Sequence, residues 1–144
     1  MLSLDDAGQL LRRSAFFRST SASAIRALSD HSKLMRLPAG ELLFKKGDPG
    51  SAMYFIVDGC VQVHHAEMVV ILLEKGEVFG EVAALSRESR TASVSAKTDT
   101  VLLKLERDAI YATLASHPEA AQSIIEALCH RESEVISEKL GRMI

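Results

Sequence analysis

The run Phe79-Gly80-Glu81-Val82-Ala83-Ala84-Leu85-Ser86-Arg87-Glu88-Ser89-Arg90-Thr91-Ala92-Ser93-Val94 passes from strand to helical turn and back to strand. Gly80 breaks the first strand, and Glu81 to Leu85 reads as one short helical turn. A polar loop runs to Ser89. Thr91, Ser93 and Ser95 then alternate with smaller or apolar residues, the period of a new strand. The result is a small cradle. The first N–H groups of a helical turn have no intrahelical acceptor and the local dipole is positive, so this end attracts an anion. Arg90 adds a planar, permanently charged fork matched to phosphate oxygens. Glu81, acceptor-only when ionised, can take hydrogen bonds from a sugar hydroxyl. A carboxylate here would repel a triphosphate; it suits a ligand with one phosphate charge beside a ribose.

Upstream, the pattern is one of short strands. Leu34, Arg36 and Pro38, then Leu42, Leu43 and Phe44, read as strands split by the turn Pro38-Ala39-Gly40. Gly47-Asp48-Pro49-Gly50 is a strong turn, Met53 to Val57 a short apolar strand, and Asp58-Gly59 another turn. Val61 and Val63 alternate with Gln62 and His64, as in a half-buried strand, and Met68 to Leu73 forms the next. Glu74-Lys75-Gly76-Glu77 turns the chain into Val78-Phe79. Beyond the cradle, Ala92-Val94-Ala96 and Val101-Leu103-Leu105 read as two last strands around Thr98-Asp99. Many short strands at close intervals indicate a sandwich or roll.

Helices flank these strands. Leu4 to Arg13 reads as a short helix with Leu10 and Leu11 inward. Ser21 or Ser23 caps a second helix carrying Ile25 and Leu28 on one face. Arg107 or Asp108 opens a helix through Leu114, and Pro118 suits the first turn of a long last helix ended at Gly141. Helices, strands, then helices is an α+β pattern. The expected organisation is one domain over 1–144, with a helical segment at 1–32, a strand-rich body at 33–106 holding the cradle at 79–92, and C-terminal helices at 107–144.

Composition excludes several classes. The 144 residues suit one domain with a real core, and 47% hydrophobic content argues against disorder. A net charge of −2 argues against a general nucleic-acid surface. No apolar run approaches the roughly 18–20 residues of a membrane span. Asp5 and Asp6 come too early for a signal peptide. Cys60 and Cys129, far apart, read as reduced thiols of a cytoplasmic protein.

Phe-Gly-Glu-Val-Ala-Ala-Leu, a loop, then Arg-Thr-Ala-Ser-Val resembles the phosphate-binding cassette of the cyclic-nucleotide-binding domain family, with Phe79 and Arg90 spaced without insertion. Gly47-Asp48, then Met53-Tyr54-Phe55-Ile56-Val57-Asp58-Gly59 and Val61, is similar to the family's earlier signature. Two ordered motifs at matching separation are far more specific than a lone glycine-rich loop. Ser89 stands where many members have Pro, and Ala84 where Leu is usual; neither change removes a ligand group. The resemblance covers nearly the whole chain. It implies an antiparallel β-roll or jelly roll, flanked by N-terminal helices and a long C-terminal lid helix.

The resemblance also implies roles. Arg90 pairs with the cyclic phosphate, and Glu81 bonds the ribose 2′-hydroxyl. The backbone N–H groups of Gly80 and Ala83, with the Thr91 hydroxyl, complete the pocket. Thr91 also bears on base choice, since an equivalent Thr or Ser contacts the guanine amino group in members that accept cyclic GMP. Arg131, reached from Arg90 through Pro118 without a gap, stacks over the purine, with Val135 one turn on as an apolar lid contact. Val63, Ile71 and Leu73 are candidates for the wall against the base. The ligand is cyclic AMP or cyclic GMP, cyclic AMP being slightly favoured, and no further cofactor is expected. The implied role is regulatory and not enzymatic, with the C-terminal helix closing over the base. The chain stops at Ile144, short of the helix-turn-helix that family transcription factors carry, so it acts through an unidentified partner or belongs to a larger signalling protein. Ile136, Leu140 and Met143 are spaced to allow a homodimer seam along that helix.

Bland readings stand beside these. Arg90 on sequence alone could be an exposed loop arginine, Thr91 a β-branched strand opener, and Arg131 a solvated helix residue. His64-His65 cannot easily chelate one metal, because adjacent strand residues point to opposite faces. Cys129-His130 fits a nucleophile–base pair poorly, and no Ser-His-Asp, Walker or Rossmann pattern occurs. Two rivals remain: a ligand-free interaction domain with the same fold, and a small metal-dependent β-roll enzyme.

Overall fold

A computed structural model of the chain describes residues 4–65 and 68–127. Helix α1 (Leu4–Arg13) buries Ala7 and Leu11, one turn apart on one face, and leaves Arg12 and Arg13 exposed. A single 3-10 turn (Ala15–Phe17) follows, capped by Ser14, whose Oγ accepts from Phe16 N–H at 3.2 Å. Of the two serines expected to start α2 (Ala22–Asp30), Ser21 is used: its Oγ accepts from Ala24 N–H at 3.3 Å.

The strands are β1 (Lys33–Leu37), β2 (Leu42–Phe44), β3 (Ala52–Asp58), β4 (Cys60–His65), β5 (Met68–Glu74), β6 (Val78–Phe79), β7 (Ser93–Ala96) and β8 (Thr100–Glu106). Helix α3 (Glu81–Ser86) sits between β6 and β7, and α4 (Arg107–Ser116) follows β8. Another helix occupies 118–127. The strands form two four-stranded sheets, ordered β1-β8-β3-β6 and β2-β7-β4-β5. Their pairings are antiparallel. The antiparallel roll with flanking helices is therefore as expected. The expected lid residues Arg131 and Val135, and the seam Ile136, Leu140 and Met143, lie outside the described residues, as do Cys129 and His130.

β3 serves two cores at once. Met53, Phe55 and Val57 pack with Leu11, Phe17, Ile25, Leu28, Leu103, Leu105 and Ile110 under the helices. Ala52, Tyr54 and Ile56 face the other way, with Leu37, Val61, Leu73, Phe79, Val94 and Leu102 between the sheets. Both faces being covered, Ala52 to Val57 is a continuous buried run rather than an alternating one. Fully burying such a side chain stabilises by about 1.5–3 kcal/mol. A half-exposed surface pair such as Lys104–Glu106, 3.3 Å apart, contributes at most about 1 kcal/mol. Burial therefore decides the fold.

Several boundaries differ from expectation by a residue or two, those of β3, α3, β8, α4 and β7 among them. α4 runs on to Ser116, past Leu114. β7 starts at Ser93 because the backbone before it is engaged elsewhere: Arg90 N–H donates to Asp48 O, and Gly47 N–H to Arg90 O, both at 2.8 Å.

Candidate functional site

The two sequence motifs meet through that backbone pair. Gly47-Asp48 holds the main chain of Arg90, and Lys46 N–H donates to Ser93 Oγ at 3.0 Å, continuing the seam. The Asp48 carboxylate closes its own turn by accepting from Lys45 N–H at 3.0 Å. Opposite, β6 pairs with β3 through Tyr54–Phe79 and delivers the chain to Gly80. Gly80 precedes α3 with φ +80°, a left-handed conformation that side chains rarely adopt. A Cβ there would also stand 2.7 Å from Arg90 Nη1. Glu81, Val82 and Ala83 then form the first turn of α3, where helical N–H groups lack intrahelical acceptors.

Arg90 is the centre of the site and is not an exposed loop arginine. Only 6% of it is accessible. Nη1 donates to Gly80 O at 3.0 Å and Nη2 to Ala52 O at 2.8 Å. The guanidinium carbon lies 4.1 Å from the Phe44 ring centroid and 5.8 Å from that of Tyr54. Among the described residues, Nε is buried without a hydrogen-bond partner. Among the described residues no carboxylate lies within ion-pair distance of this guanidinium. Burial pulls its pKa below the ordinary value, opposed by Tyr54 and, more weakly, by Glu106 and Glu81. Tyr54 is raised in turn, chiefly by its own burial.

Glu81 is buried, at 8% exposure, in the first turn of α3. Ala83 is buried two residues on, and Thr91 is exposed next to Arg90. Arg90, Gly80, Glu81 and Ala83 thus come together around one short helix and one loop. Val63 and Ile71 face each other across β4 and β5, half-buried at the edge of the inter-sheet core. Leu73 is inside that core at 4% exposure.

Several residues that shape the site were missed by the sequence reading. Phe44 and Tyr54 supply the ring faces, and Ala52 supplies an acceptor. Gly50, read only as a turn residue, makes room for the Arg90 side chain. Arg107, read only as a helix start, ties α3 down. Its Nε donates to Ala84 O at 2.7 Å, and its Nη2 to Ala83 O and Gly50 O, both at 2.9 Å. Tyr111 OH adds a bond to Leu85 O at 2.8 Å. Residues so far apart in sequence carry no spacing signal that could have linked them. His64 has a structural partner, its Nε2 lying 3.2 Å from Ser95 Oγ. Among the described residues no group of three His, Cys, Asp or Glu is placed to hold a metal ion.

Comparison with known proteins places the chain in a family. The family model described as the cyclic nucleotide-binding domain matches residues 34–117, from β1 to the end of α4. The chain belongs to the cyclic nucleotide-binding domain family. Its members are regulatory binding domains, not catalysts. A CRP-like cAMP-activated global transcriptional regulator of Mycobacterium tuberculosis is 27% identical over 128 residues, covering 85% of this chain and 57% of that protein. A cAMP-dependent protein kinase regulatory subunit of Emericella nidulans is 39% identical over 83 residues, covering 56% of this chain and 20% of that protein. The chain thus spans little over half of the first relative and a fifth of the second. The solved catabolite activator protein of Thermus thermophilus superposes with a TM-score of 0.75 at 30% identity, covering 87% of this chain and 61% of that one. No described helix is long and apolar enough to cross a membrane.

Proposed function

We propose that this cyclic-nucleotide-binding domain is one cytoplasmic module that takes cyclic AMP, ahead of cyclic GMP, in the cradle around Arg90. The observation that carries the reading is the buried Arg90 guanidinium, held by carbonyls and ring faces, with its Nε–H unpartnered and no carboxylate in ion-pair reach among the described residues. A buried charge without a counter-ion is costly. A single phosphate offers both the missing charge and the missing acceptor. The first-turn N–H of Ala83 and the Thr91 hydroxyl add donors around the same anion, and the Gly80 backbone stands with Glu81 at the ribose. Glu81 accepts from the ribose hydroxyl, a role that an acceptor-only carboxylate can fill. Val63 and Ile71, half-buried, supply the apolar wall for the base with Leu73 packed behind them in the core, and Thr91 is available to a guanine amino group. Arg131 and Val135 are the lid contacts in this reading. The preference for cyclic AMP is supported by the names of the mycobacterial and fungal relatives, both of which specify it.

The output is a population shift. A ligand contacting both cradle and C-terminal helix favours the closed arrangement only by its differential affinity for the two states. Moving that equilibrium from 1:99 to 99:1 needs roughly 10⁴-fold differential binding. The effector is a further domain or a partner protein, and a dimer seam along the C-terminal helix is one route to it.

Calorimetric titration of the wild type with cyclic AMP and cyclic GMP, beside Arg90→Ala and Glu81→Ala, tests the reading. The expected result is saturable binding with tighter uptake of cyclic AMP, and severe loss in both variants while they stay folded. A folded wild type that takes up neither nucleotide, or a variant with unchanged affinity, would overturn it.

A further inference from the structure

We propose that Phe44 is a positioning residue of the ligand site: its ring holds the Arg90 guanidinium in place without neutralising it. The inference rests on the cyclic-nucleotide reading and adds to it a residue outside both sequence motifs.

Three observations carry it. First, among the described residues the Arg90 partners are all uncharged. Two carbonyls take the Nη1 and Nη2 protons, and the nearest ring, Phe44, lies 4.1 Å from the guanidinium carbon. A carboxylate in that place would orient the fork equally well but would compete with a phosphate for its charge. A ring face attracts the cation through its quadrupole and leaves the full charge for an incoming anion.

Second, Phe44 is itself held. Its ring centroid is 6.2 Å from both Tyr54 and Phe79, and those two rings stack at 5.2 Å. Phe44 belongs to the β2-β7-β4-β5 sheet, while Tyr54 and Phe79 belong to the other. The aromatic cluster therefore bridges the two sheets beside the cradle.

Third, the backbone is shaped to aim this ring. Leu42 pairs with Ser95, and Phe44 pairs with Val94, with a register irregularity between them. Leu42 is accordingly exposed at 41%, whereas Phe44 packs against the inter-sheet core. In a regular strand these residues, two apart, would share a face. The irregularity turns Phe44 inward onto Arg90, as bulges do when they re-aim a side chain at a site.

The test uses the full chain, with cyclic AMP as the titrant and the Arg90 Nε–H resonance as a ligand-independent signature. In the free wild type that resonance is expected to be ring-shifted and slow to exchange. Phe44→Leu should remove most of the shift, the more distant Tyr54 ring remaining, and weaken cyclic AMP binding about tenfold, equivalent to about 1.4 kcal/mol and within reach of a desolvated cation–π contact. Phe44→Tyr should restore both. In an Arg90→Gln background the same Phe44→Leu change should have almost no further effect on binding, because its partner is gone. An Arg90 resonance at the solvent-exposed position, wild-type affinity in a folded Phe44→Leu, or an equal loss in the Arg90→Gln background would overturn the inference. A wild type that keeps the shifted resonance but titrates with neither cyclic AMP nor cyclic GMP would instead overturn the cyclic-nucleotide reading.

Discussion

Gly50 stands so close to Arg90 that a Cβ built on it would lie 2.2 Å from Nε and 2.4 Å from Cζ. Its φ lies outside the left-handed range, so the demand is for space and not for backbone freedom. Arginine can usually swing away, but this one is pinned by two carbonyls and two rings. Gly50→Ala is expected to cost on the order of 1–3 kcal/mol of stability through overpacking. It should also weaken cyclic-nucleotide binding about tenfold or more, since the guanidinium must move. Urea denaturation and calorimetry on the same preparation check both. Wild-type behaviour in both would mean the guanidinium is not held where it is described.

Arg107 joins three carbonyls that belong to two segments flanking Arg90: Ala83 and Ala84 of α3, and Gly50. The last carbonyls of a helix have no partner of their own, and a cation at that end is favourable. Arg107→Met should destabilise by about 1–3 kcal/mol by leaving buried acceptors unmade. Arg107→Lys should rescue little, because a point charge cannot reproduce the planar fork. Denaturation midpoints of the two variants, compared with wild type, decide this; a fully stable Lys variant would refute the fork argument.

Arg87 ends α3 with φ +60°, the one non-glycine residue with positive φ among those described. The left-handed conformation costs an L-residue about 1–2 kcal/mol. Its guanidinium lies 6.0 Å from the Tyr111 ring, at the limit of a useful cation–π contact. Relief of strain outweighs that contact and the added flexibility of glycine, so Arg87→Gly should raise stability by about 0.5–1 kcal/mol. A thermal melt showing no rise, or a fall, would show that the Tyr111 contact matters more than the strain.

Glu106 carries a pH dependence. Its carboxyl is held below the ordinary value of 4.5, first by the Ser51 hydrogen bond, which outweighs the opposing effect of burial, and then by Lys104 and Lys33. Ser51 Oγ donates to Oε2 at 2.8 Å. A carboxylate depressed in the folded state binds protons more readily once unfolded. Its stabilisation is therefore present above the unfolded value and lost as pH falls through the folded one, that is, below about pH 4.5. Glu106→Gln should lose less stability than wild type between pH 5 and pH 3. Urea midpoints across that range measure it, and parallel curves would discount the Ser51–Glu106 bond.

Much of the fold was readable from local signals. Ser21 before Ile25 and Leu28, the glycine turns and the apolar strands each announce their own conformation within a few residues, because capping and turn chemistry are local. The doubly buried face of β3 was not, since Ala52 to Val57 shows no alternation to reveal two cores. The site divides in the same way. Gly80, Glu81 and Arg90 lie in one short run with a characteristic order, so the sequence by itself singled out the residues proposed for the phosphate and ribose contacts of this chain. Whether Arg90 was a solvated loop residue or a buried cation was decided only by tertiary structure. Phe44, Gly50, Ala52 and Arg107 reach it from other strands and another helix. Burial, and a setting with no counter-ion among the described residues, are properties of that assembly. Desolvation and cation–π attraction act between residues brought together through space, and no spacing along the chain encodes them.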